Sequence, residues 1–276
     1  MPELPEVETV RRQLQGRVTG RRIAGLDVLD PKFSSPAAPD ELAGDVVGRR
    51  IEAVGRRGKY LLMRLDSGDD LAVHLRMTGR LHWSAGDPDP DERFVRALFR
   101  LDDGATLAFS DMRRFGRAWI VPRAPDPEAY WRGRVGVEPL DPAFTPEALA
   151  GALRGRRGPV KAALLNQALV AGLGNIYADE ALFQARIHPE RPAGALSEAE
   201  IEALHEAIVD RLRAAVAAGG ASIDSYRDGL GQYGTMQELL RVHLHRGDAC
   251  PRCGDTVVKT RVAQRGTYWC PTCQPA

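Results

Sequence analysis

The chain opens with a secondary amine among carboxylates, Met1-Pro2-Glu3-Leu4-Pro5-Glu6. Met1 precedes a small residue, so its removal is expected, which leaves Pro2 as a free amine. An α-amino group titrates near ~8, far below lysine, so a usable fraction is neutral near pH 7. A neutral amine beside an acid can attack a carbonyl-like carbon and form a Schiff base. Glu3 is adjacent and Glu6 lies one helical turn on, so the two could divide general-acid and positioning work. The same acids also suit an ordinary helix start, where the dipole favours them, and this stretch alone does not choose.

A second constellation lies at the other end. Cys250 and Cys253, then Cys270 and Cys273, form two Cys-x2-Cys pairs sixteen residues apart. This is the spacing of a four-thiolate zinc site. Two disulfides are the alternative, disfavoured in a cytoplasmic chain. One structural Zn2+ is therefore expected; four cysteines close its coordination and leave no position for catalysis.

The 276 residues are enough for more than one domain. No apolar run approaches the ~20 residues of a membrane span, and the acidic N-terminus is no signal peptide. A cytoplasmic protein is expected. Net charge is only +1, but the basic residues cluster: Arg49, Arg50, Arg56, Arg57, Lys59 and Arg64; then Arg154, Arg156, Arg157 and Lys161; then a basic tail from Arg241. Such clusters could converge on a phosphate backbone or be scattered surface charge.

The elements that must carry these residues follow from periodicity. Val7, Val10 and Leu14 share one face of a helix over residues 6–14. A Pro-rich loop near 31–39 follows. Short alternating runs at 49–54, 60–65, 71–76, 95–101, 106–110 and 117–121 then read as strands of a sandwich. Residues 86–91 read as an exposed loop and 122–142 as a linker. Helices are expected at 146–153, 159–168, 174–185 and 197–218, the last opened by a Ser197/Glu200 capping box. Residues 219–234 form a Gly-rich loop.

Four further stretches complete the set: Arg57-Gly58-Lys59-Tyr60-Leu61, His74-Leu75-Arg76-Met77-Thr78-Gly79, Asp111-Met112-Arg113-Arg114-Phe115-Gly116, and the run from Gly172 to Glu180 containing Gly174-Asn175. Singly they allow bland readings: a solvated turn lysine, core methionine and phenylalanine, Asn175 as a helix cap. Together with MPELPEVETVRR they resemble the formamidopyrimidine-DNA glycosylase family, bacterial base-excision enzymes that remove oxidised purines. The resemblance spans the whole chain.

That resemblance implies an α+β fold: an N-terminal β-sandwich with an N-terminal helix over 1–130, a helix-two-turn-helix domain over 131–240, and a C-terminal zinc-finger β-hairpin over 241–276. It implies double-stranded damaged DNA as partner, in a cleft between domains, and a bacterial, nucleoid-associated, cytoplasmic enzyme acting as a monomer. Pro2 becomes the nucleophile, Glu3 the general acid, and Lys59 and Arg265 assist strand cleavage by β,δ-elimination. Met77, Arg113 and Phe115 become a wedge that fills the space left by an extruded base, with Arg113 facing cytosine. Glu6, Arg156, Lys161 and Asn175 join the DNA-facing set. Phe94 stands where the family usually has a DNA-contacting histidine, and the loop 222–233 covers the lesion. The alternatives are an endonuclease VIII-like activity on oxidised pyrimidines, a non-catalytic damaged-DNA-binding protein, and a zinc-ribbon interaction module. Leu4 and the Arg113–Phe115 wedge favour the purine enzyme over the first, and the intact Pro2, Glu3 and Lys59 argue against the second. The third leaves the first 240 residues unexplained.

Overall fold

The computed structural model describes residues 1–88, 93–223 and 225–276. Asp89, Pro90 and Asp91 of the expected exposed loop, and Asp224 of the loop expected to cover the lesion, lie outside them. The chain divides into two compact units, one comprising 1–132 with 218–235, the other 133–217 with 236–276. The expected boundary at 130 lies close to the one at 132, but the zinc segment joins the helical unit rather than standing apart at 241, and residues 218–235 return to the first unit. No described helix is long and apolar enough to cross a membrane.

The first unit is a sandwich of two antiparallel four-stranded sheets. One has the order β1 (Ile23–Val28), β6 (Val95–Leu101), β7 (Thr106–Asp111), β5 (Gly79–Ser84). The other runs β2 (Ile51–Arg57), β3 (Tyr60–Leu65), β4 (Asp70–His74), β8 (Arg117–Val121). β3 alternates as its sequence demands: Leu61, Met63 and Leu65 are buried and their neighbours half-buried. β4 and β7 are buried along their whole length. Helix α1 (Leu4–Val18) lays Val7, Val10, Leu14 and Val18 into the same core. Full burial of each such side chain is worth about 2 kcal/mol, so the core fixes the helix whose first turn carries the N-terminal acids.

Two strands and one α-helix among the described residues were not expected from sequence. β1 contains Gly25 and Asp27, poor strand residues. β5 buries only Gly79 and Leu81, too weak an alternation to read. Helix α2 (Pro39–Val46) hides behind its own proline, which starts the helix rather than ending the loop.

The second unit packs α3 (Pro146–Leu153), α4 (Val160–Leu165), α5 (Asn175–Ala185) and α6 (Glu198–Ala217) with a hairpin of β9 (Val258–Val262) and β10 (Arg265–Trp269). α5 is its centre: it touches α4, α6 and β10 and is buried on nearly every side. The capping box before α6 forms, with Ser197 N–H donating to Glu200 at 2.8 Å and Glu200 N–H to Ser197 Oγ at 3.3 Å.

Candidate functional site

In the first unit Pro2, Glu3 and Glu6 are all buried at the start of α1. Glu6 Oε2 accepts the Glu3 N–H at 2.8 Å, and its Oε1 accepts the Ala221 N–H, also at 2.8 Å. One carboxylate thus ties the residue after the nucleophile candidate to the loop 218–235. Glu6 was expected to face DNA; here it is 1% exposed with both oxygens on backbone donors. Tyr226 O–H donates to the Glu6 carbonyl at 3.3 Å. Further along α1, Gln13 donates to Asp228 at 2.7 Å and accepts from Gly229 N–H at 2.8 Å. Gln13 and Asp228 were not singled out from sequence, where nothing distinguishes them from surface residues.

Lys59 decides between the two readings of its turn. Gly58 takes φ +54 at the first position of a two-residue hairpin loop, while Lys59 keeps negative φ, the pattern of a type II′ turn. A lysine there is ordinarily solvated, yet Lys59 is only 6% exposed. Its charge is felt by the buried His74, whose pKa is held down to about 3, first by burial and then by the charges of Arg76 and Lys59. His74 is therefore neutral near pH 7, and its Nδ1 accepts the Arg76 N–H at 2.9 Å.

The basic cluster around this turn is largely neutralised. Arg56 pairs with Glu8 at 3.2 Å, Arg57 with Glu128 at 3.3 Å and Arg64 with Asp70 at 2.6 Å. Burial would raise the Glu8 pKa, but Arg11, Arg12 and Arg56 outweigh it and hold it at about 2.

The wedge candidates divide cleanly. Arg113 is exposed with its guanidinium 4.9 Å from the Phe115 ring centroid. Phe115 is 47% exposed, as is its neighbour Met112 at 54%, while Met77 is half-buried. Arg114 turns to Asp30 instead and grips it with two bonds of 2.5 and 3.0 Å. That contact lowers the Asp30 pKa to about 2, against a burial that would raise it. Phe94 is exposed with φ +66, a rare conformation for a bulky residue, fixed by its carbonyl accepting the Asp111 N–H at 3.0 Å. A depression of roughly 650 Å³, lined among others by Arg80, Arg93, Phe94, Met112, Arg227 and Leu230, lies beside the loop 218–235.

In the second unit the four cysteine ligand atoms lie within 4.8 Å of one another. Cys250 and Cys273 are 3.8 Å apart at sulfur, Cys253 and Cys270 3.5 Å. Disulfides need ~2.05 Å; four thiolates at ~2.3 Å around tetrahedral zinc stand about 3.8 Å apart. The donor set fits zinc, and the site is structural.

The hairpin turn is Ala263-Gln264, both with positive φ, a type I′ turn without the Asn-Gly that would announce it. Arg265 opens β10 and is exposed. Arg156 is exposed too, its Nε donating to Ala152 O at 3.0 Å. Gly174, not Asn175, is the N-cap of α5. The Asn175 amide donates to Gly266 O at 2.9 Å, so it reaches the hairpin beside Arg265.

Lys161 corrects the expectation of a phosphate contact. It is 0% exposed, and its ammonium meets Asp179 at 2.6 Å, Thr267 Oγ1 at 2.8 Å and Gly266 O at 3.0 Å. It holds the hairpin; it does not reach solvent. The other Asp179 oxygen binds His243 Nδ1 at 2.8 Å and the Tyr268 N–H at 3.3 Å. Glu180 accepts the N–H groups of Arg241, Val242 and His243 at 2.9–3.0 Å. Both acids lay inside a quoted motif, but only their 0–1% exposure reveals what they do.

Comparison with known proteins matches these regions to three family descriptions. They are the formamidopyrimidine-DNA glycosylase N-terminal domain over residues 1–118, the H2TH domain of the same glycosylase over 135–227, and the zinc finger found in FPG and IleRS over 247–276. The formamidopyrimidine-DNA glycosylase of Pelotomaculum thermopropionicum is 48% identical over 274 residues, covering 99% of both chains. That of Chloroflexus aurantiacus is 50% identical over 276 residues, covering 99% of this chain and 98% of its own. The chain belongs to the formamidopyrimidine-DNA glycosylase family. Solved structures agree in fold. A mutant of the Lactococcus lactis FPG, complexed with Fapy-dG-containing DNA, superposes with TM-score 0.91 at 37% identity over 100% of both chains. The L. lactis Fpg complex with abasic-site DNA gives 0.91 at 36%, covering 99% of this chain and 100% of that one. Within the glycosylase family fold the expected sandwich, helical unit and zinc hairpin all stand.

Proposed function

We propose that this chain is a bifunctional DNA glycosylase and AP lyase that removes oxidised purines from duplex DNA. The observation that carries the reading is Lys59, which is 6% exposed at a hairpin turn where a solvated charge is ordinary, in the same unit as the buried Pro2 and Glu3 at the start of α1. Family membership and the DNA complexes of the L. lactis relatives support the substrate class.

On this reading Met77, Arg113 and Phe115 enter the stack, and the damaged purine leaves it for the depression beside the loop 218–235. The Pro2 nitrogen, freed of Met1, attacks C1′ of the deoxyribose. The glycosidic bond breaks, the base departs with a proton, and Glu3 helps protonate and open the sugar. The resulting Schiff base acidifies C2′, so the 3′ and then the 5′ phosphate leave by successive β- and δ-elimination. Lys59 and Arg265 assist these steps. Arg156 and Asn175 bind phosphates, Phe94 offers an apolar contact, and the enzyme acts as a cytoplasmic monomer.

Borohydride trapping on a duplex carrying 8-oxoguanine opposite cytosine tests this, with Pro2→Gly and Glu3→Gln alongside and Met1 removal checked by intact mass. The expected result is a covalent adduct with wild type that is lost or weakened in both variants. DNA binding without an adduct, Met1 being absent, overturns the reading in favour of a binding protein. An adduct only with an oxidised pyrimidine overturns the purine assignment.

A further inference from the structure

We propose that Asp111 is the positioning residue of the base-opening wedge, and that with Thr78 it makes two separate turns into one rigid piece. This rests on the wedge assignment just made. The wedge draws on two loops, Met77 preceding β5 and Arg113 and Phe115 following β7. Side chains from two loops must enter one gap together, and misplacement of about 1 Å can cost on the order of a hundredfold in rate.

Asp111 ends β7, pairs in register with Gly79 of β5, and is 1% exposed. Its partners are neutral donors converging from both turns. Oδ2 accepts the Phe115 N–H at 2.8 Å and the Gly116 N–H at 2.7 Å. Oδ1 accepts the Arg113 N–H at 3.1 Å and the Thr78 hydroxyl. Thr78 Oγ1 in turn accepts the same Arg113 N–H at 3.1 Å. The hydroxyl therefore bridges the residue beside Met77 to the backbone of Arg113, through one shared carboxylate oxygen. The turn leaves no slack: a Cβ on Gly116 would stand 2.3 Å from Phe109 Cζ and 3.2 Å from Asp111 Oδ2.

The chemistry demands a carboxylate. Four donor groups need acceptors on two oxygens, and a buried donor left unmet costs about 1–3 kcal/mol. An amide offers one acceptor oxygen and presents its own N–H groups to the remaining donors. Asp111→Asn should thus loosen the Arg113–Phe115 turn itself. Thr78→Val removes only the bridge, leaving the Phe115 and Gly116 bonds intact.

The test uses full-length, zinc-loaded, Met1-processed protein and three readouts: single-turnover excision of 8-oxoguanine opposite cytosine and opposite adenine, cleavage of a preformed abasic site, and fluorescence of 2-aminopurine opposite a tetrahydrofuran abasic analogue. For Thr78→Val the expected result is roughly tenfold slower excision, narrowed discrimination between cytosine and adenine, and a smaller 2-aminopurine signal. Abasic-site cleavage should stay within about twofold. Asp111→Asn should exceed it in every wedge readout; if it does not fold, Thr78→Val decides alone. Wild-type excision, discrimination and fluorescence in Thr78→Val overturn the inference, as does an equal loss of abasic-site cleavage, which marks a general structural role. If wild type excises nothing, the glycosylase reading fails separately, and the 2-aminopurine signal still scores the coupling.

Discussion

Two buried aspartates, one in each unit, position an exposed arginine by different means. Asp111 fixes Arg113 through backbone N–H groups two to five residues away. Asp179 fixes the strand that begins at Arg265 through partners 64 and 89 residues distant, and through Lys161 on its other oxygen. A local turn supplies its own donors, so a buried carboxylate is satisfied at little cost in chain entropy. A hairpin arriving from far along the sequence brings few backbone donors, and a buried ammonium compensates the charge instead. The local device is rigid but narrow. The long-range one is stronger, and more fragile to loss of a single partner.

The largest effect should come from breaking that ion pair. Lys161→Met strands a fully buried carboxylate and removes the contacts to Gly266 and Thr267; the expected loss is about 3–5 kcal/mol. Thr78→Val, at the local hub, should cost about 1 kcal/mol. Urea unfolding of both variants with zinc bound checks the ranking. A Lys161→Met loss no greater than that of Thr78→Val would mean the metal, not the ion pair, holds the hairpin.

The folded His74 pKa lies at about 3, below its ordinary value of 6.5, so the unfolded state binds the extra proton between these values. Its contribution to stability is complete above pH 6.5 and is lost progressively as pH falls toward 3. Each unit of pH well inside that window should remove about 1.4 kcal/mol. Other groups titrate there too, so the informative quantity is a difference: wild type should lose more stability than His74→Gln between about pH 7 and about pH 5. Parallel loss in both proteins would place the proton uptake on groups other than His74.

The sequence was most legible where chemistry demands rare residue types at fixed spacing. Four cysteines announced zinc, and alternating Leu61, Met63 and Leu65 announced β3. It was least legible where one residue type serves opposite ends. Lys161 and Lys59 both read as basic residues in basic stretches, yet the first is an internal tether and the second a buried group at a turn. Nothing in the local pattern gives burial, which is set by neighbours distant in sequence. The same limit hid Asp111 and Asp179, whose importance lies in what converges on them. It also displaced the turn of the zinc hairpin: the run from Gln264 to Cys270 reads as that turn, whereas Ala263-Gln264 makes it and residues 265–269 form β10.

The smallest predicted effect discriminates most sharply, because it separates adjacent residues of one type. Arg113 and Arg114 are indistinguishable by composition, but Arg114 is held by two bonds to the buried Asp30, whereas Arg113 lies exposed over the Phe115 ring. Arg114→Lys keeps the charge and loses the two-pronged geometry. Because the arginine is half-exposed, solvent screening should keep the stability loss small, with opposite-base discrimination unchanged. Arg113→Ala should do the reverse, leaving the urea midpoint near wild type while flattening the preference for cytosine over adenine. The two measurements on the two variants give four numbers. A stability loss confined to Arg114 and a specificity loss confined to Arg113 would show that the turn assigns opposite duties to neighbouring guanidiniums. Any crossing of the two effects would mean that Asp30, through Arg114, also sets the aim of the proposed wedge.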